Sequence, residues 1–233
     1  MTLLIAVYVP AGIALAADSR LTRTVTQHST SGGQAVQQQS LVVLSDASNK
    51  LVELTTVGCA VGLYDNALLE GQPTDAHIRR FEEERLADGD DVRTVAEKLH
   101  DHLRTSFEAA RVGFYVAGYR VEDRVSVPHL YAGHSTKEEL LRPNLNDGKI
   151  VYGVSRAGDN EVANRLIRKE SLPAFDAMPL QDAVDYAVHL IRATIDTLRF
   201  EPRHPTVGGP IDVMTVTPDG CTWIRRKELT IAD

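Results

Sequence analysis

A threonine stands second in this chain, directly after Met1. Once Met1 is removed, Thr2 carries a hydroxyl and a free α-amine on one residue. The amine has an unperturbed pKa of about 7.7–8.0, so a useful fraction is neutral near pH 7. It can take the hydroxyl proton, which is one way to activate a threonine nucleophile. A nearby lysine would hold the amine's pKa down by like-charge repulsion, and a carboxylate would hold that lysine. A second-position threonine is common, so it needs company before it means anything. Other chemistry finds less support. There is no GxxxxGK[ST] phosphate loop, no HExxH and no GxSxG. The "HDH" at 100–102 falls in a helical stretch, where residues two apart face different ways, and reads as solvated surface. No histidine spacing selects a catalytic base, and no metal or cofactor is expected.

The residues after Thr2 must position it. "TLLIAVYV", "PAG" and "IALAADSR" read as strand, turn and strand. Leu3, Ile5, Val7 and Val9 share one face, and Leu4, Ala6 and Tyr8 the other. A strand apolar on both faces belongs in a sheet covered on both sides. A secretion signal is the competing reading, since "ALAAD" resembles a cleavage site. But no Lys or Arg precedes Arg20, and Pro10 and Gly12 would break the apolar helix a signal needs.

Residues 21–40 are polar, with Gly32–Gly33 at the centre, and read as an extended loop or a long hairpin tip. Strands are expected at 41–45, 50–54 and 57–62. The region 64–110 reads as helical, with "DGDD" at 88–91 separating two helices; Val92, Val95, Ala96, Leu99, Leu103 and Phe107 form the stripe of the second. Strands at 112–119 and 127–133, a polar loop and the strand "IVYGVS" come next. Then there are helices at about 158–170 and 179–199, the latter striped by Leu180, Val184, Ala187, Val188, Ile191, Ile195 and Leu198. A hairpin "IDVMTVT-PDG-CTWIRR" closes the order. No composition shift marks a boundary, so residues 1–233 are expected to form a single domain.

The chain has 43% hydrophobic residues, enough for a sizeable core, and a net charge of −7, which argues against a nucleic-acid partner. No apolar run is long enough to span a membrane. Cys59 and Cys221 stand in no CxxC arrangement and suit reduced thiols in a cytoplasmic protein.

"GIALAADSR", with a threonine sixteen positions before its Asp, closely resembles the start of proteasome β subunits, which are N-terminal nucleophile hydrolases. The resemblance makes Thr2 the nucleophile, with Asp18 and Arg20 matching the A-A/S-D-S-R context. "NKLVEL" and "CAVG" are similar to the family's lysine strand and small-residue turn. They imply Lys50 as the catalytic lysine and Gly62 as the oxyanion-hole glycine. "VPHLYAG" resembles the "GPxLY" strand, and "GVS" at 153–155 marks Ser155 as the serine near the nucleophile. "TVGGPIDV" at 206–213 looks most like the bacterial Anbu branch, with Thr206 in the place of a supporting serine. The resemblance implies an α+β fold, a four-layer αββα sandwich, and self-association into a homo-oligomer, ring or helical. It also implies threonine-type hydrolysis of a peptide or small amide.

Two departures stand out. The polar 27–40 stretch makes the Asp18–Lys50 interval longer than in the family. The carboxylate expected three positions before the serine falls on Arg203 or His204, depending on register, and Asp196 is the remaining substitute. The alternatives are a catalytically inactive self-assembling scaffold and a small-amide acylase.

Overall fold

The computed structural model describes residues 2–31, 34–107, 109–168 and 172–228. Met1 and the Gly32–Gly33 pair therefore lie outside the described residues. The N-terminal segment is a hairpin of β1 (Leu3–Val9) and β2 (Gly12–Asp18), turning at Pro10–Ala11. Every residue of both strands is buried. Leu3, Ile5, Val7 and Val9 face one apolar cluster and Leu4, Ala6 and Tyr8 another, as the alternation requires.

The polar stretch resolves into a long ribbon, β3 (Leu21–Ser31) paired with β4 (Gln34–Ser45). Next come β5 (Leu51–Leu54) and β6 (Cys59–Asp65), joined through Gly58 at φ +62. The expected helix does not begin at 64. Glu70 (φ 49) and Gly71 (φ 80) are consecutive left-handed residues, the mark of a type I′ turn, and they close a small hairpin of β7 (Leu68–Leu69) and β8 (Gln72–Pro73). Helix α1 (Thr74–Arg85) starts only after Pro73. Helix α2 (Val92–Ser106) is capped by Asp91, whose carboxylate accepts the Thr94 N–H at 2.9 Å, and it buries the expected stripe from Val92 to Leu103.

Then come β9 (Val112–Glu122) and β10 (Val125–His134). The polar loop holds a tight hairpin, β11 (Leu145–Asn146) with β12 (Lys149–Ile150). Strand β13 (Gly153–Gly158) leads to α3 (Glu161–Leu166), shorter than expected, and α4 (Leu180–Leu198). The last hairpin is β14 (Ile211–Thr217) and β15 (Gly220–Arg225).

The larger sheet runs β13-β1-β2-β14-β15 and the smaller β10-β9-β6-β5. One cluster joins β1, β2 and β14 to α3 and α4. A second joins β5, β6 and β9 to α1 and α2. The third brings Leu4, Leu15 and Met214 of the larger sheet against Ala60, Tyr115 and Leu130 of the smaller. Each fully buried Leu or Phe contributes about 1.5–3 kcal/mol by leaving water, so these clusters fix the strand ends that carry the site.

Candidate functional site

The spacing of Thr2 and Asp18 is a property of the hairpin. Its register pairs Val9 with Gly12 and Leu4 with Ala17, so the next step outward sets Leu3 beside Asp18. There the Asp18 carboxylate accepts the Leu3 N–H at 2.9 Å and fixes the backbone just after Thr2. Asp18 and Lys50 are 1% and 2% exposed, and their Oδ1–Nζ contact is 2.8 Å. The second oxygen accepts the backbone N–H groups of Arg20 (3.1 Å) and Gly208 (2.9 Å). Four donors match the acceptor capacity of one carboxylate, which is what a buried charge needs.

Burial pushes the Lys50 ammonium below its usual range, and Asp18 opposes that shift. Lys50 sits at the head of β5, and its carbonyl accepts the Leu63 N–H at 2.8 Å. Thr2, 2% exposed, and Lys50 line one small void together with Asn49, Leu63–Ala67 and Thr74.

Gly62 lies elsewhere. It pairs with Leu51 on one side and Tyr115 on the other, inside the smaller sheet. Because the next amide, Leu63, points to Lys50, alternation turns the Gly62 N–H toward β9 and into the ladder. A Cβ on Gly62 would come within 2.6 Å of Leu4 Cδ1, so the glycine serves sheet-on-sheet packing. By the same alternation the Asp65 N–H points to the Lys50 side. Asp65 ends β6 with φ +70 and lines the void with Thr2.

Ser155 is also displaced from Thr2. It pairs with Ala6 in the β1–β13 register, and its hydroxyl meets the Tyr115 hydroxyl at 3.1 Å between the sheets. The residue beside Thr2 is Asp159, whose N–H donates to the Thr2 carbonyl at 2.7 Å. The approach is close: at Gly158, φ +85, an added Cβ would lie 1.8 Å from the Thr2 oxygen.

No carboxylate stands at 203–204, but Asp159 brings one to that place in the fold. Arg203 grips it with two guanidinium nitrogens at 2.6 and 3.2 Å, and the buried Thr206 hydroxyl donates to it. Burial raises its carboxyl, but the Arg203 and Thr206 hydrogen bonds outweigh this and hold it below the usual range. Asp196, the expected substitute, is exposed on α4. The sequence carries one signal for Asp159, a glycine before an acid at the end of β13, and it is too common to select.

Arg20 gives its backbone N–H to Asp18 and its guanidinium to other partners. It holds Asp46 through two nitrogens at 2.7 and 2.8 Å and the Pro205 carbonyl at 3.1 Å. Its guanidinium lies where a Gly208 side chain would go, with 2.4 Å between Cζ and the added Cβ. Arg20 thus straps the Thr206–Gly209 loop over Asp18. The "HDH" histidines are not solvated surface: His100 is buried, its Nε2 2.9 Å from the Lys137 carbonyl, and His102 is half-buried beside Phe81 and Phe107. Cys59 and Cys221 are free thiols, each pushed up to about 12 by burial, which leaves them unreactive at neutral pH.

No family model and no curated protein matches the chain. Among solved structures it is similar to an Anbu (Gly-1) mutant from Hyphomicrobium sp. strain MC1. The TM-score is 0.59 over 97% of this chain and 86% of that one, at 16% identity. The chain has an Anbu-like fold. At that identity the Anbu likeness carries the architecture and leaves the roles of single residues to the geometry of the site. Among the described residues, no helix is long and apolar enough to cross a membrane.

Proposed function

We propose that the chain is a threonine-type N-terminal nucleophile amidohydrolase. Its substrate is a peptide or a small amide, and Thr2 is the nucleophile once Met1 is removed. The observation that carries this reading is the buried Lys50–Asp18 pair, with Lys50 facing the same void as Thr2. The Thr2 hydroxyl attacks the amide carbonyl and its own α-amine takes the proton. A lysine with a lowered pKa, oriented by Asp18, tunes that amine. The Asp65 N–H stabilises the oxyanion, in the role that the family resemblance gives to Gly62. The tetrahedral intermediate collapses, the C–N bond breaks, and the α-ammonium returns its proton to the leaving amine. Water then attacks the Thr2 ester, with the α-amine as base, and releases the acid. Asp159 holds the Thr2 carbonyl while Thr206 and Arg203 hold Asp159.

In the same reading the chain is one domain. Its three apolar clusters stack as helices, sheet, sheet and helices, a four-layer αββα sandwich. It self-associates through copies of itself and works in the cytoplasm. The test is the intact mass of the purified protein, and then a threonine-directed covalent probe. Loss of Met1 alone, with one probe adduct on wild type and none on Thr2→Ala, is the expected result. A retained Met1 locks the amine in a peptide bond and sinks the proposal.

A further inference from the structure

A cavity of about 630 Å³ opens beside the void that Thr2 lines, and the two share Asp65, Asn66 and Ala67 as a common wall. The ribbon supplies its other side, through Leu21–Thr24 and Leu41. Two guanidinium groups line it. Arg23 comes from β3, and Arg111 stands just before β9, its backbone pinned by the Asn66 N–H donating to its carbonyl at 2.9 Å.

Asp65 is the one carboxylate among the described residues that line the cavity, and it is already engaged. Asp65, on the wall itself, contacts His134 Nε2 at 2.9 Å. The His134 Nδ1 accepts the Thr136 N–H at 3.1 Å, so the proton on Nε2 points at Asp65 and keeps that acid occupied. Asp46, at the foot of the ribbon, is held by Arg20. Among the described residues neither Arg23 nor Arg111 forms an ion pair. A chain of net charge −7 repels acidic ligands in general, so two uncommitted cations on one cavity mark a local exception.

We infer that this cavity selects amides whose acyl-side residue carries a carboxylate, with Arg23 and Arg111 as the specificity determinants. The inference rests on the hydrolase reading for its chemistry, but not for its binding. Planar guanidinium forks suit a carboxylate, and a lysine-bearing residue in the same place would meet like charge.

The test compares three fluorogenic peptide amides, identical except for Glu, Leu or Lys at the acyl-side residue. They are run on the protein lacking Met1 and on an Arg23→Glu/Arg111→Glu variant. Both arginines are exposed, so the substitutions spare the core. The expected result is kcat/KM for the Glu substrate roughly tenfold above the other two, the range open to charge-assisted contacts at a solvated site. That advantage shrinks with added salt, and the double variant inverts the order in favour of Lys. A Glu substrate no faster than Leu, or a ranking unmoved by the double variant, overturns the assignment. Should no amide be turned over, fluorescent Glu and Lys peptides are titrated onto Thr2→Ala. Tighter Glu binding, lost in the arginine variant, upholds the cavity while the hydrolase reading falls. Equal binding of both peptides, or none, overturns the cavity as well.

Discussion

At the scale of single residues the site is a set of buried charges with no spare partner. Replacing Lys50 by Met leaves Asp18 buried with its ionic partner gone. That costs about 3–5 kcal/mol, read as a lowered urea midpoint. Removing both charges with Asp18→Asn in the same chain recovers part of the loss. Asp159 gives a pH test. Its carboxyl is held below its unfolded value, so its stabilisation is present above about pH 4 and is lost as pH falls through the folded pKa. Stability curves should therefore show a shallower acid limb for Asp159→Asn than for wild type; superimposable limbs would remove Asp159 from the ionic account. Thr2, Asp18 and Lys50 were legible through the resemblance to proteasome β subunits, and the β1–β2 hairpin brings Asp18 back beside the start of the chain. Asp159 was not legible, because its place depends on β13 pairing with β1, and no local pattern records that pairing. The "GVS" motif points to Ser155, but the β1–β13 register pairs that residue with Ala6, away from Thr2.

At the scale of elements, the apolar runs announced themselves and the turns did not. Strands β1 and β2 and the stripes of α2 and α4 were readable from alternation and from helical spacing. Between Tyr64 and Pro73 the local composition suited a helix, and two left-handed residues at Glu70–Gly71 decided otherwise. Glycines make the element-scale prediction. Gly58 and Gly158 both have positive φ, but only Gly158 meets a backbone oxygen. Gly58→Ala should cost about 1 kcal/mol, from φ strain alone. Gly158→Ala should cost several times more and displace the Thr2 carbonyl. Thermal melts of the two variants side by side check this, and equal shifts would contradict the close approach. Gly62→Ala should cost about 1–3 kcal/mol through overpacking on Leu4.

For the whole molecule, the order of strands and helices was enough to expect sheets covered by helices, and the solved Anbu structure shares that architecture. The ribbon was the undecided part, since polar residues alone do not separate a loop from a hairpin. It joins neither main sheet, and it exposes Val42, Val43 and Leu44 in a row at 39%, 36% and 47%. Exposed apolar residues in a row are a candidate contact for the proposed self-association, and they give it a test. Changing all three residues to Ser should lower the sedimentation coefficient toward the monomer and leave the melting temperature of the fold within a few degrees, as exposed substitutions do. An unchanged coefficient would place the contact elsewhere on the surface.

Three of the four donors on Asp18, those of Leu3, Lys50 and Gly208, reach it from distant stretches of chain, and three of the four are backbone amides, those of Leu3, Arg20 and Gly208. Amides that share one acceptor cannot be released one at a time without leaving that acceptor short. In deuterated solvent these three protons should therefore exchange together, with one common protection factor despite their distance in sequence. The opening event they report is the detachment of the N-terminal strand, the lysine and the glycine loop as a single unit.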